Sequence, residues 1–324
     1  MFKVAIDLMG GDNTPSQPIK GVQSFIKSNP NNDIFFYMVG KEDEILKELD
    51  QTIFDSNFKI INTSEVITMY DNPIKAVKEK PDSSMVKCLE LLKSNSVDAV
   101  ISSGNTGALI FSSTIMIKKI AGVKKVILAP KIPNKYGNFI LADVGANINI
   151  NPLNYTNMAD LCKIYSKLIN KIEKPSVHLL NIGHEKNKGT PDLVEAYQRL
   201  SENCDNFKGN IEPRYLMDQK IDIVLCDGFI GNVVLKLTEG LSHYLLDSLK
   251  DSLIDKSINS IENLKNIFDF ELSTILLGLN GIVLKCHGAS SYRSFKYAIK
   301  EAQSLHELSL ISKINNCFKP LAGA

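Results

Sequence analysis

The sequence predicts an α/β fold: a mainly parallel sheet with helices on both faces, an αβα sandwich built as one large domain over residues 1–324. Short apolar runs alternate with longer segments of helical period along the chain, the order that a parallel sheet with crossover helices requires. At five places an apolar run ends in a short loop of Gly, Asn, Ser or charged residues and then enters a helical segment. A composition of 44% hydrophobic and 23% charged residues is that of a chain able to bury a sizeable core.

Taken in order, the chain opens with a strand over residues 3–7, an apolar run ending in the charge of Asp7 and lacking the long apolar stretch of a secretory signal. Thr14 and Pro15 mark a helix over 15–27 with Thr14 as N-cap, because a first helical turn tolerates proline. Strands at 34–39 and 58–61 and a helix at 83–93 follow. Residues 99–117 carry no charge over about the length of a membrane span. Ser102, Ser103, Gly104, Asn105 and Thr106 interrupt them, which predicts a buried strand at 98–102, a polar loop and an apolar helix at 107–118. Strands at 126–129, 139–143 and 177–181 alternate with a helix at 153–170. Thr190 and Pro191 start a helix at 191–202, and a strand at 221–226 leads to a helix at 233–251. Leu241, Leu245, Leu249 and Leu253 recur every four residues, and Ile258, Ile261, Leu264 and Phe268 every three or four. Residues 239–270 are thus expected to form a protruding hairpin of two amphipathic helices, the second at 259–268, folded back at Asp255, Lys256 and Ser257. A strand at 282–285 and a helix at 292–308 complete the pattern, and no linker or repeat cuts the chain into independent domains.

Charge and cysteine usage exclude several classes. Lys and Arg number 37 against 36 Asp and Glu, a net charge of +1, which provides no general attraction to nucleic acid or anionic lipid. Any anion site must be local. Cys88, Cys162, Cys204, Cys226, Cys286 and Cys317 are scattered without a C-x-x-C pair, a usage that suits reduced cytosolic thiols rather than disulfides or a sulfur-bound metal. There is no G-x-x-x-x-G-K-[ST], no G-x-G-x-x-G after the first strand and no G-x-S-x-G elbow, so nucleotide and serine acyl-enzyme chemistry are poor fits. Asp7, Asp12, Asp143 and Asp227 follow separate strands, but their spacing does not support a Mg²⁺ site; no metal and no cofactor is expected.

The five loops, at 102–107, 143–147, 181–189, 226–232 and 285–291, should share the carboxyl edge of the sheet, where open α/β folds bind ligands. Glycine lets backbone N–H groups approach a ligand, and helix N-termini behind the loops present unpaired donors, an arrangement suited to phosphate. One such loop would be no more than a tight turn; five point to a site.

At these residues the chain resembles, over nearly its whole length, the phosphate acyltransferase family of bacterial phospholipid synthesis. Asp7-Leu8-Met9-Gly10-Gly11-Asp12 is similar to that family's opening D-A-M-G-G-D, and Lys80-Pro81-Asp82-Ser83-Ser84-Met85 to its K-x-x-S-S-M. Ser103-Gly104-Asn105-Thr106-Gly107-Ala108 is similar to its S-x-G-N-T-G-A loop. Asp143-Val144-Gly145-Ala146-Asn147, Leu179-Leu180-Asn181-Ile182-Gly183, Asp227-Gly228-Phe229 with Gly231-Asn232-Val233-Val234-Leu235-Lys236, and Lys285 with His287-Gly288 and Ser290 follow in family order. Leu8 stands where the family usually has Ala, His184 and Ile230 where it has Thr, and Leu272-Ser273-Thr274 replaces a Gly-Gly-Ala stretch. The resemblance implies a fold like that of isocitrate and isopropylmalate dehydrogenases and of phosphotransacetylase. It further implies acyl transfer from acyl carrier protein to inorganic phosphate, a homodimer, loose attachment to a membrane surface and a membrane acyltransferase acting downstream.

Such a transfer needs no protein nucleophile, because phosphate is one and a thiol of pKa about 8.5 leaves readily; placement and charge stabilisation remain. Phosphate would lie on the helix starts after Gly104-Asn105-Thr106 and after His287-Gly288, with Lys285 or Lys188 offsetting its charge. His287 or the Asn232 amide would donate to the developing oxyanion, and Asp227 would orient His287 or hold its own loop. The residues assigned to substrate are Asp7, Gly10, Gly11, Asp12, Ser103, Gly104, Asn105, Thr106, Gly107, Asn181, Gly183, Lys188, Gly228, Gly231, Gly288 and Ser290. Plain alternatives stand beside these roles: a capping imidazole for His287, a turn cap for Asp227, an exposed loop position for His184. Cys226 and Cys286 are either acyl acceptors or small core residues. Lys118, Lys119, Lys124 and Lys125 either dock an acidic carrier protein or are solvated at a helix end. Residues 239–270 carry six acids and three lysines, so membrane contact there would rest on Ile254 and Ile258. Two further activities remain open, a phosphotransacetylase-like enzyme using acyl-coenzyme A and a non-catalytic acyl- or phosphate-binding regulator.

Overall fold

The apolar runs form strands and the amphipathic segments helices in regular succession. The computed structural model describes residues 1–50, 57–252 and 273–318. In chain order the elements are β1 (Phe2–Asp7), α1 (Ser16–Ser28), β2 (Ile34–Gly40), α2 (Glu42–Glu48), β3 (Phe58–Asn62), α3 (Pro73–Glu79), α4 (Ser84–Lys93), β4 (Ala99–Ser102) and α5 (Thr106–Met116). Next come β5 (Ile127–Asn134), β6 (Gly137–Ala142), α6 (Tyr155–Asn170), β7 (Val177–Leu180), α7 (Pro191–Asn203), β8 (Phe207–Ile211), β9 (Ile223–Leu225) and α8 (Gly228–Ser252). The chain ends with β10 (Ser273–Leu277), β11 (Ile282–Cys286), α9 (Tyr292–Glu307) and α10 (Leu310–Phe318). No helix among the described residues is long and apolar enough to cross a membrane.

Whereas the sequence suggests no cut, the residues group into two compact units, residues 1–126 with 271–324 and residues 127–270. In the first, the strands lie in the order β3-β2-β1-β4-β11-β10, parallel except for β10, which runs antiparallel to β11. Val4, Ile6, Val100, Ile101, Val283 and Leu284 fill its buried strands, the near-continuous apolar runs of a sheet covered on both faces. In the second, the order is β5-β6-β9-β7-β8, again parallel except for the β5–β6 hairpin. Ile140, Leu141, Leu179, Val224 and Leu225 are buried here, and α6 covers them with Tyr155, Met158, Leu161 and Tyr165.

Thr190 caps α7 as expected, its Oγ1 accepting from the Leu193 N–H at 3.3 Å. Thr14 does not cap α1: its hydroxyl donates to the carbonyls of Met9 and Gly11 instead, and Pro15 stands at the cap position without a side-chain bond. Helices α2, α3 and α10 and strands β8 and β10 are additions to the sequence reading. The turn and second helix expected at 255–268 lie outside the described residues, whereas the first half of that hairpin is the C-terminal part of α8, which starts five residues earlier than the expected 233.

Candidate active site

In the first unit, Asp7 ends β1 fully buried and gathers the surrounding loops. Its Oδ1 accepts from the N–H of Met9 (3.2 Å) and Gly10 (3.1 Å) and from the Ser84 hydroxyl (2.6 Å), and its Oδ2 from the Ser102 hydroxyl (2.6 Å). Ser102 in turn accepts from the Gly104 N–H at 3.0 Å. Four donors leave this carboxylate saturated, so Asp7 positions the loops. Gly11 turns the chain with φ +106, where a methyl group would stand 2.5 Å from Ser103 Oγ; only glycine accepts both conditions cheaply. The Ser103 hydroxyl donates to the Gly10 carbonyl, and the Asp12 N–H donates to the Gly288 carbonyl at 2.8 Å. Three loops, after β1, β4 and β11, which carry Gly10, Gly11, Asp12, Ser103, Gly104 and Gly288, are thereby tied together.

Asn105 is the N-cap of α5: its Oδ1 accepts from the Ala108 N–H at 3.1 Å, and its Nδ2 points to the carbonyls of Thr68, Met69 and Asp71 at 3.3, 3.3 and 3.1 Å. Its carboxamide thus holds a neighbouring segment and leaves the first-turn amides of Thr106 and Gly107 facing outward from the helix start. Lys80 anchors that same segment through Asp71 (2.5 Å) and the Val66 carbonyl (2.9 Å). The Lys80 hydrogen bond also holds the Asp71 carboxyl below the ordinary carboxylate range. Lys80, Ser84 and Ser102 received no role from the sequence, although the first two lie in a matched motif. Lys285 is buried with its Nζ donating to the carbonyls of Ser103 (3.2 Å) and Cys286, which brings a positive charge to this edge. His287 is exposed, and its Nδ1 accepts from the Ala289 N–H at 3.3 Å, which places the ring proton on Nε2 as a donor.

The second unit holds the other assigned residues. Asp143 is fully buried at the end of β6. Its Oδ1 accepts from the N–H of Leu128, Gly145 and Ala146 (2.9, 3.3 and 3.1 Å), and its Oδ2 from the N–H and Nδ2 of Asn147 (2.7 and 2.8 Å). Burial raises its pKa, opposed by those bonds. Helix α8 begins against this loop: a methyl at Gly231 would fall 1.9 Å from the Asp143 carbonyl oxygen. The Gly228 N–H donates to the Asn147 carbonyl at 2.8 Å. Asn232 lies in the same turn, its Cγ 3.8 Å from where a side chain on Gly145 would begin.

Asp227 caps α8, its Oδ1 accepting from the Ile230 N–H at 2.8 Å. Asn181 braces its own loop, with Nδ2 on the Lys188 carbonyl (3.0 Å) and Oδ1 accepting from the Ile182 N–H (2.8 Å). Lys188 and Glu185 form a loose exposed ion pair at 3.7 Å across the turn at Gly183. His184 packs on the Tyr215 ring and pairs with Glu212 at 3.3 Å. The five glycine loops therefore divide, 102–107 and 285–291 in the first unit and 143–147, 181–189 and 226–232 in the second.

Both candidate thiols are core residues. Cys226 and Cys286 are buried; burial pushes Cys226 well above the ordinary thiol range and Cys286 up to about 12. The Cys226 thiol donates to the Asp143 carbonyl at 3.2 Å. Neither thiolate is accessible near neutral pH, which removes them as acyl acceptors.

A mainly parallel α/β architecture is shared with phosphotransacetylases and isocitrate dehydrogenases. A phosphotransacetylase from Streptococcus pyogenes is similar with a TM-score of 0.63 at 16% identity, over 94% of this chain and 94% of that one. The isocitrate dehydrogenase of Methylococcus capsulatus is similar with a TM-score of 0.51 at 9% identity, over 97% of this chain and 87% of the other. These likenesses define the fold. Residues 2–313 match the family described as "Fatty acid synthesis protein", and the "Phosphate acyltransferase" of Clostridium acetobutylicum is 37% identical over 98% of this chain and 99% of its own length. The chain belongs to this family of acyltransferases.

Proposed function

We propose that the protein transfers a fatty acyl group from acyl carrier protein to inorganic phosphate, yielding acyl phosphate for phospholipid synthesis. The observation that carries this reading is the first unit's edge, where outward amides of Thr106 and Gly107, the charge of Lys285 and the Nε2–H of His287 belong to loops tied to one another. Such an edge suits a phosphate dianion. A phosphate oxygen attacks the thioester carbonyl carbon, His287 donates to the oxyanion, and the C–S bond breaks as the thiolate leaves and takes a proton. Asp12, exposed beside Gly288, accepts from a phosphate hydroxyl.

The fold likeness to the Streptococcus pyogenes phosphotransacetylase favours a second reading, with acyl-coenzyme A as donor. Thiol release is followed with phosphate and either palmitoyl-acyl carrier protein or palmitoyl-coenzyme A, trapping acyl phosphate with hydroxylamine. Release from the carrier protein is expected; release from coenzyme A alone supports the second reading, and none from either leaves a binding protein. Val233, Leu237, Leu241 and Tyr244 are exposed along α8, and this apolar stripe supports homodimer formation, weak membrane contact or both.

A further inference from the structure

The loop between β3 and α3 lies wholly in the first unit and passes beside the start of α5. Of its residues 66–72 only Ile67 is buried, so apolar burial does little to hold their shape. Hydrogen bonds do. Lys80 Nζ donates to the Val66 carbonyl at 2.9 Å and to Asp71 Oδ2 at 2.5 Å. The same Oδ2 accepts from the Thr68 N–H at 2.7 Å, and the Asp71 N–H donates to the Thr68 carbonyl at 3.3 Å. One ammonium group thus bridges both ends of a turn.

The closed turn directs the carbonyls of Thr68, Met69 and Asp71 to the Asn105 Nδ2. A carboxamide has a donor end and an acceptor end, and its direction is set by what each end meets. Reversing Asn105 would set its oxygen against three carbonyls and its amide nitrogen against the Ala108 N–H. The turn therefore keeps Oδ1 on the Ala108 amide, and Thr106 and Gly107, the two residues before it, keep theirs for a ligand. Pro73, which follows the turn, backs the same helix start: a methyl on Gly107 would stand 2.7 Å from its Cγ. Lys285, buried with its Nζ on the Ser103 carbonyl, supplies the cation of this edge from β11. The Lys80 ammonium is engaged instead by the turn's own carboxylate and carbonyl.

We infer that Lys80 and Asp71 are positioning residues of the phosphate site: together they close the turn that fixes the Asn105 carboxamide and, through it, the α5 amides, without touching the ligand. The inference rests on the acyl-transfer reading and deepens it, because it gives a role to the first residue of the Lys80-Pro81-Asp82-Ser83-Ser84-Met85 motif. Ser84, the fifth, serves the same edge by donating to Asp7 Oδ1 at 2.6 Å.

Two substitutions that remove opposite charges make the test. Phosphate-saturation kinetics of thiol release from palmitoyl-acyl carrier protein are measured for Lys80→Met and Asp71→Asn, with urea unfolding alongside. If Lys80 attracted phosphate directly, Lys80→Met would raise KM for phosphate, and Asp71→Asn, by removing a neighbouring negative charge, would lower it. Positioning through the turn requires both to raise it. A rise of about tenfold is expected in each, the size of one impaired charge-assisted hydrogen bond, with the thioester KM within about twofold. The Lys80→Met/Asp71→Asn variant should be no worse than Lys80→Met alone, since both changes open one turn. Lys80→Arg, which keeps the ion pair, should return KM to within about threefold. Asp71→Asn is nearly isosteric at a part-exposed site, so the sign of its effect decides even if Lys80→Met fails to fold. A lower KM in Asp71→Asn, additive losses in the double variant, or a fall in kcat at unchanged KM that follows a lost folded fraction overturns the inference. Absence of phosphate-dependent release in the unmodified protein overturns the acyl-transfer reading instead. Calorimetric titration with inorganic phosphate then decides on the turn: about tenfold weaker binding by both single variants upholds it, and equal binding by all forms, or none by the unmodified protein, overturns it.

Discussion

Asp7 and Asp143 hold the same station in the two units, each a buried carboxylate at the end of a parallel strand with a glycine-containing loop wrapped around it. Their partners differ. Asp7 draws two of its four bonds from the serine hydroxyls of Ser84 and Ser102, which belong to other elements, so several loops are gathered while the amides of Thr106 and Gly107 point away. Asp143 draws on the amides of its own loop, Gly145, Ala146 and Asn147, and Asp227 draws on Ile230. Amides turned inward in this way cannot meet an anion. One pattern of glycine, asparagine and aspartate after a strand therefore ties serine hydroxyls of other elements to the first unit's carboxylate and closes mainly on backbone amides in the second.

The largest effect should come from Gly231, where α8 meets the Asp143 loop. Gly231→Ala places a methyl 1.9 Å from a backbone oxygen, and neither the helix nor the strand end can yield without losing other bonds. A loss of about 3 kcal/mol in urea unfolding is expected. Gly240→Ala in the same helix has open space within 4 Å and should stabilise by up to about 1 kcal/mol through helix propensity. Equal behaviour of the two variants would dissolve the claim that close packing defines the second edge.

The two lysines proposed from the sequence as phosphate counter-charges should separate next. Lys285 is buried against the Ser103 and Cys286 carbonyls, whereas Lys188 is half-exposed beside Glu185. Lys285→Ala should lower kcat/KM for phosphate by about a hundredfold or more, the size typical of a lost oxyanion or phosphate donor. Lys188→Ala should change it by less than about threefold, in keeping with an exposed ion pair. A reversed result in phosphate-saturation kinetics would move the anion site to the second unit.

Periodicity made the central strands legible, because β1, β4, β7, β9 and β11 are short apolar runs bounded by polar turns. It failed for β8 (Phe-Lys-Gly-Asn-Ile), where Gly209 and Asn210 break the apolar run, and for α2, a seven-residue helix rich in acids that buries only Ile45. Motif order marked the site residues, but residue type could not tell a bracing role from a contacting one. Asn105, Asn181 and Asp227 are chemically suited to both, and only their partners in the fold show the bracing: an oxygen of each accepts from an amide of its own turn, and the Asn105 Nδ2 reaches the carbonyls of Thr68, Met69 and Asp71. The division into two units leaves no mark in composition, since neither boundary carries a Gly- or Pro-rich linker.

The smallest effect separates the units by acid. His178, in β7 of the second unit, sits across from Val224 with its Nδ1 buried and unpartnered, and burial lowers its pKa to about 4. The unfolded chain, with an ordinary value of 6.5, takes up the proton first. Stability contributed by the neutral ring is therefore complete above about pH 6.5 and is lost as pH falls toward about 4, by at most about 1.4 kcal/mol per pH unit. Asp143 acts in the opposite sense: its raised value means that the folded unit gains relative stability as pH falls through its own titration toward 3.8. Hydrogen exchange between pH 7 and 5 should therefore show β7 and its neighbours in the second sheet losing protection before β1 and β4, and His178→Gln should restore it. If β1 and β4 opened first, or if His178→Gln left the order and the slope unchanged, the acid sensitivity would lie elsewhere and the contrast between the two units would be confined to their loops.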